Sequence, residues 1–313
     1  MKEQCKIKTS IGGQALIEGV MMRGPKKTVA AIWNAKGELE TKDFSAEIKP
    51  RAKWMRLPLI RGVVSFIDSM KLGYTTLMYS AEASAGEDLE PESKFDLWLE
   101  KTFGDKLMKV LGTVASLIGV ALAIVLFLWL PAFLFNLIPG SQDSTGLGWW
   151  RSVFEGVFRL LILVAYMALV SKMPDMRRVF QYHGAEHKTI FCYESLEELT
   201  VENVKKHTRF HPRCGTSFLV LMLLVGIIIG FFIRTPNALL RTVIRLLLLP
   251  VTMGIGYELI KLCGKHNNVF TRIIAAPGLW MQRITTKEPD DKMIEAAICA
   301  LEAVIPENGE DHL

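Results

Sequence analysis

Four apolar runs limit what this chain can become. They are "VLGTVASLIGVALAIVLFLWLPAFLFNLI", "VFEGVFRLLILVAYMALV", "GTSFLVLMLLVGIIIGFFI" and "LLRTVIRLLLLPVTMGIGYELIKL". Crossing the hydrocarbon of a bilayer takes roughly 20 apolar residues as helix. Each run reaches or approaches that length, and Pro131 is expected to kink or end the first. Half the residues are apolar, yet 22% are charged. A bundle of spans alone would carry fewer charges, and a soluble domain would carry fewer apolar residues. The expected fold is therefore α-helical and membrane-embedded, with about four transmembrane helices and a small N-terminal α+β cytoplasmic domain.

The sequence divides accordingly. Residues 1–53 read as a small β-rich cytoplasmic domain, where "TVAAIWNAKGELETKDFSAEI" has the form strand, turn, strand. Residues 54–106 read as amphipathic or interfacial helices followed by an acidic linker. The four-span bundle covers 107–265 and encloses a cytoplasmic His/Cys loop at 173–214. Residues 266–313 form a cytoplasmic tail with one short helix.

Charge sets the expected orientation. After the second run come Lys172, Arg177, Arg178, Lys188, Lys205, Lys206, Arg209 and Arg213, whereas "PGSQDSTGLGWW" after the first run has none. The positive-inside rule places the histidine loop and both termini in the cytoplasm. Arg234 and Arg241 oppose this and are outvoted; Trp149 and Trp150 fit an outer interfacial belt. The N-terminal "MKEQCKIKTS" has no apolar core or cleavage site, so no signal peptide is expected. Five scattered cysteines read as free thiols or metal ligands of a reducing compartment. The net charge of +5 is not gathered in a basic block, so nucleic acid is not an expected partner. The bilayer is, and small residues in "GTVASLIGVALA" and "VGIIIG" permit a homo-oligomer.

The densest chemistry lies in "YHGAEHKTIFCYE". His183 and His187 are one helical turn apart and share a face, as a metal site requires. With Glu186, "HGAEH" fits the H-x-x-E-H pattern, in which the glutamate is general base and two histidines hold zinc. Glu194 is a third ligand if the helix persists. A second cluster, His211 and Cys214 in "HPRCG", precedes the third run. A closed set of His183, His187, His211 and Cys214 would be structural; three ligands and an open position would be catalytic. The plainer alternative is that these histidines only bond backbone and headgroups. Glu258, inside the fourth run, is a functional candidate or a partner of Lys261. Glu18 and Arg23, in "GGQALIEGVMMRGP", could close over the site with Arg23 holding an anion, or form a surface pair at a bend.

These stretches, with "LPLIRGVVSFIDSMKLGYTTLMYSAE" and "YELIKL", resemble the YqhQ-type family of bacterial membrane proteins, a domain of unknown function labelled a predicted metal-dependent enzyme. The resemblance runs from Ile11 to Leu279. It implies a bacterial inner-membrane protein and matches His183, Glu186, His187, His211 and Cys214 to the family's polar motifs. Two functions follow as expectations. One is a zinc-dependent hydrolase at the cytoplasmic face, with Glu186 as base. The other is a non-enzymatic oligomer, a transporter, channel or assembly factor, with Arg159, Arg241, Arg245 and Glu258 along a pathway. A scaffold whose N-terminal domain binds a cytoplasmic partner is a third.

Overall fold

In a computed structural model of the chain, the structure describes residues 6–47, 52–85, 110, 113–114, 117–139, 150–233, 235, 238–266 and 268–311. The acidic linker after Ala85, Trp149 and Arg234 lie outside them. Four strands form an antiparallel meander: β1 (Gly12–Leu16), β2 (Gly19–Arg23), β3 (Thr28–Trp33) and β4 (Leu39–Asp43). Helices follow: α1 (Ile60–Ala85), α2 (Leu117–Asn136), α3 (Arg151–Val170), α4 (Pro174–Glu194), α5 (Val201–Lys206), α6 (Gly215–Phe231), α7 (Ala238–Lys265), α8 (Val269–Thr285) and α9 (Asp291–Glu302). The chain is mostly helical with a small N-terminal sheet. By length and composition α2, α3 and most of α7 could cross a membrane, whereas α6 is a shorter apolar helix of 17 residues. At 1.5 Å per residue α6 spans roughly 25 Å, short of a bilayer's ~30 Å core.

The chain divides into two compact units. The first comprises Met1–Ser84, Val164–Val225 and Leu248–Leu313. Its sheet is covered on both faces. Val20, Met22, Val29 and Ala31 pack with Tyr182, Ala185 and Ile190 of α4 and with Met293, Ile294, Ala297 and Leu301 of α9. The alternate residues Met21, Ala30 and Ile32 pack with Leu16, Phe44 and Leu72 of α1. A side-chain period of two on a strand separates the two cores. Each fully buried large side chain, such as Met22 or Ile32, contributes roughly 1.5–3 kcal/mol. Segments 1–53 and 266–313, separate in the sequence division, thus share a core. The tail also holds two helices instead of one. The extra one is α8, whose start Asn268 caps reciprocally with Thr271.

The hairpin at "NAKG" forms as the sequence suggests: Asn34 Oδ1 accepts from the backbone of Lys36 and Glu38, and Gly37 takes φ 78°. The β1–β2 turn places Glu18 at φ 52°.

The second unit comprises Ala85–Leu163 and Gly226–Leu247. Its burial is inverted. Arg151, Ser152, Glu155 and Arg159 of α3 are buried, while Val157 and Leu161 of the same helix are exposed. On α2, Leu122 and Trp129 are exposed as well. Pro131 neither ends nor interrupts α2, which continues to Asn136 through a π-turn at Val125–Trp129. Proline has no N–H for the carbonyl four residues earlier. That carbonyl belongs to Phe127, and it accepts from Arg159 Nε at 2.6 Å.

Candidate metal centre

The site lies in the first unit and is built on α4. From Phe180 onward this helix is buried on most of its circumference, so its polar groups need partners inside the protein. Gly184 makes the packing possible: a Cβ there would lie 2.0 Å from the Lys287 carbonyl oxygen. Lys287 N donates to Phe180 O at 2.8 Å, which fixes the end of α8 beside the helix.

His183 and His187 project from one face of α4, their ring centroids 4.4 Å apart. His183 Nδ1 lies 2.8 Å from the carbonyl oxygen of Thr285. His187 Nδ1 lies 2.5 Å from that of Arg209. A carbonyl only accepts, so each Nδ1 carries a hydrogen and each Nε2 is left to face the site. His183 Nε2 is 3.1 Å from Cys214 Sγ. Ligand atoms of His183, His187 and Cys214 all fall within 4.8 Å of one another. Donation from the far ring nitrogen to a carbonyl is how metal-bound histidines are oriented.

Charge follows geometry. Burial pushes the Cys214 thiol up, but facing His183 and His187 outweigh it and hold the thiol well below its usual range. Burial likewise disfavours the His183 cation, yet Cys214 beside it lifts His183 to about 9. Each of the two thus favours the charged form of the other. A second cluster, Cys192, Glu197 and His207, has similar spacing but opposite chemistry. Burial and then Glu197 push the Cys192 thiol up to about 11, so it stays protonated and is a poor ligand.

Glu186, on the histidine face of α4, is buried and hydrogen-bonded to the Gly13 backbone. Burial pushes its carboxyl up, against His187 and His183, which lower it. Gly13 has no alternative here: a Cβ would stand 2.9 Å from Glu186 Cγ and 2.7 Å from Met21 O. Gly13 also lines a cleft of about 380 Å³ with Gly12, Gln14, Met21, Arg23 and Leu72. Met21 and Leu72 of this lining belong to the α1 side of the sheet, whereas the Cβ position of Gly13 faces Glu186 on the α4 side, and Glu186 is not a lining residue.

The remaining candidates are placed elsewhere. Glu194 does not join the three-residue set. Seven residues along a helix is two turns, roughly 10 Å from His187. It accepts from Thr9 N at 2.9 Å and pairs with Arg213. Burial raises its carboxyl, but His211 and Arg213 prevail and hold it at about 2. His211 is also outside the set, its ring 5.5 Å from that of His187 and its Nε2 3.2 Å from Arg213 Nη2. Burial, against the bond to Glu194, brings His211 down to about 4 and keeps it neutral. Gln282 of α8 clasps its backbone, accepting from His211 N at 2.7 Å and donating to His211 O at 2.6 Å. Glu258 forks with Arg61, with Nε to Oε1 at 2.6 Å. Glu18 pairs with Arg178, Nε to Oε1 at 2.6 Å, and accepts from Tyr182 OH at 3.1 Å. Arg23 sits opposite Gly12 in the sheet, at the cleft. Sequence reasoning missed the two carbonyls, which leave no trace in residue type, and Gln282, a lone buried amide on an amphipathic helix.

Residues 57–307 match the family described as "Protein of unknown function (DUF1385)". The chain is 34% identical over 300 residues to "Uncharacterized protein YqhQ" of Bacillus subtilis (strain 168), covering 94% of this chain and 91% of that protein. No solved structure matches it significantly. The chain belongs to this family.

Proposed function

We propose that this member of the family is a membrane-anchored, metal-dependent hydrolase with a cytoplasm-facing site. The observation that carries the reading is the pair of carbonyl-anchored imidazoles turned toward one cysteine sulfur. His183 Nε2, His187 Nε2 and Cys214 Sγ would hold a divalent cation, and this donor set suits zinc or ferrous iron. A bound cation of this kind acidifies water and polarises a carbonyl or phosphoryl oxygen. Glu186, desolvated beside the set, would take the proton of the attacking water and return it to the leaving group. Lipid as solvent is supported by the inverted burial of α3, in which charges are inside and leucines outside. Basic residues flanking α4 support the cytoplasmic orientation.

The 3.1 Å contact between Cys214 Sγ and His183 Nε2 also fits a metal-free cysteine nucleophile, which is the second reading. A transport pathway is less favoured, because Arg151, Arg159 and Arg245 converge on Glu155 within one chain. Elemental analysis of the purified protein tests the first reading. Wild type should carry about one cation per chain, Glu186→Gln should retain it and His187→Ala should lose it. A wild type free of metal, with undiminished alkylation of Cys214, would favour the nucleophile.

A further inference from the structure

Among the described residues of the second unit, buried positive charge outnumbers buried negative charge. Four guanidinium groups, Arg151, Arg159, Arg241 and Arg245, surround one carboxylate, Glu155, which is fully buried. Both oxygens of Glu155 are occupied. Oε1 accepts from Arg151 Nε at 2.8 Å, and Oε2 takes Arg159 Nη2 at 3.4 Å and Arg245 Nη1. Arg159 Nε is held by the carbonyl that Pro131 frees on Phe127. Arg241 Nη2 donates to Ser152 Oγ at 3.0 Å, and that hydroxyl donates to Gly230 O at 2.6 Å. Gly230 leaves space: a Cβ there would meet Ser152 Oγ at 3.0 Å and Arg245 Nη2 at 3.4 Å.

Donors are left over. Arg151 Nη2, Arg241 Nε, Arg245 Nε and Arg245 Nη2 are buried with no hydrogen-bond partner among the described residues. Arg151 and Arg241 are each only 6% exposed. Guanidinium does not shed its proton to relieve this. A buried like-charged cluster persists only with a counter-charge, and multiple N–H forks match an anion with several oxygens.

We infer that the arginine cluster around Glu155 is a binding site for a phosphate-type oxyanion, either the phosphodiester of a lipid headgroup or free phosphate. The site shares no residue with the proposed metal centre. Only its lipid source rests on the membrane reading.

The test uses the full chain in neutral detergent, stripped of lipid. Thermal midpoints are titrated with inorganic phosphate against chloride at equal ionic strength. A second arm compares a short-chain phosphatidylglycerol with the matching diacylglycerol. A saturable rise with phosphate assigns a free anion, and a rise with phosphatidylglycerol alone assigns a headgroup. Arg241→Gln leaves the Glu155 contacts in place and should weaken the apparent affinity at least tenfold. Arg241→Lys, which keeps the charge and loses the fork, should fall between, and it carries the comparison if Arg241→Gln does not fold. No saturable response in either arm, or a response unchanged in the folded Arg241 variants, overturns the site. A phosphate response without a lipid response keeps the site and leaves the membrane reading to be judged on its own grounds.

Discussion

The two units bury opposite things. In the first, a sheet with apolar residues on both faces lies between helices, and buried charges such as Glu194 and Lys188 are paired singly. In the second, guanidinium groups and a carboxylate lie inside, and leucine, valine and tryptophan point outward. The hydrophobic effect cannot drive the second arrangement in water, because the exposed apolar surface would seek cover. In hydrocarbon the preference reverses: polar groups must find partners within the protein and apolar ones need none. On the proposed membrane reading one chain folds against two solvents, and the contrast can be broken by experiment.

The largest effect belongs to Glu155. Glu155→Ala would leave Arg151, Arg159 and Arg245 without their carboxylate in a buried site. Losing one side of such a cluster costs about 3–5 kcal/mol. Thermal unfolding in detergent should show the variant severely destabilised; a near-native midpoint would mean that water already reaches the cluster.

A smaller effect is expected in the first unit on acidification. His211 is held at about 4 in the fold, against roughly 6.5 unfolded. A lowered imidazole contributes stability that is complete above about pH 6.5 and fades as pH falls toward 4, of order 3 kcal/mol in all. Glu194, at about 2 in the fold, adds a loss of the same sign once pH drops below about 4.5. Unfolding midpoints measured from pH 7 to pH 4 should therefore decline; a flat profile would place His211 in contact with solvent.

The smallest effect is at Glu18, whose pair with Arg178 is half in solvent. Glu18→Ala should cost less than about 1 kcal/mol of thermal stability. A larger loss would show that the left-handed turn at Glu18, not the ion pair, matters.

These contrasts also explain what the sequence could reveal. The apolar runs announced α2, α3 and α7 because a long run of apolar residues needs no further pattern to be read as a helix. "HGAEH" announced the face of α4, since one-turn spacing is geometry. "VMM" and "VAAI" carried a signal that alternation would have lacked: strands apolar at every position must be covered on both faces. What covers them, α4 and α9, comes from more than a hundred residues downstream, and no local period records such a pairing. Glu194 shows the limit of face arguments, because a shared face does not shorten two turns of helix. Cys214 joined the site while its neighbour His211 turned to Glu194 and Arg213, a choice made by the turn before α6 and by Gln282. Nothing in "HPRCG" distinguishes the two.

Cobalt(II) titration of the metal-stripped protein, followed by absorbance, tests the central claim that His183, His187 and Cys214 form one cation site. His183, lifted to about 9 by Cys214, must give up a proton on binding. Apparent affinity should therefore rise about tenfold per unit from pH 6 toward pH 9, with a thiolate-to-cobalt band that vanishes in Cys214→Ser. Failure to bind one equivalent, or a band that survives in Cys214→Ser, would contradict it.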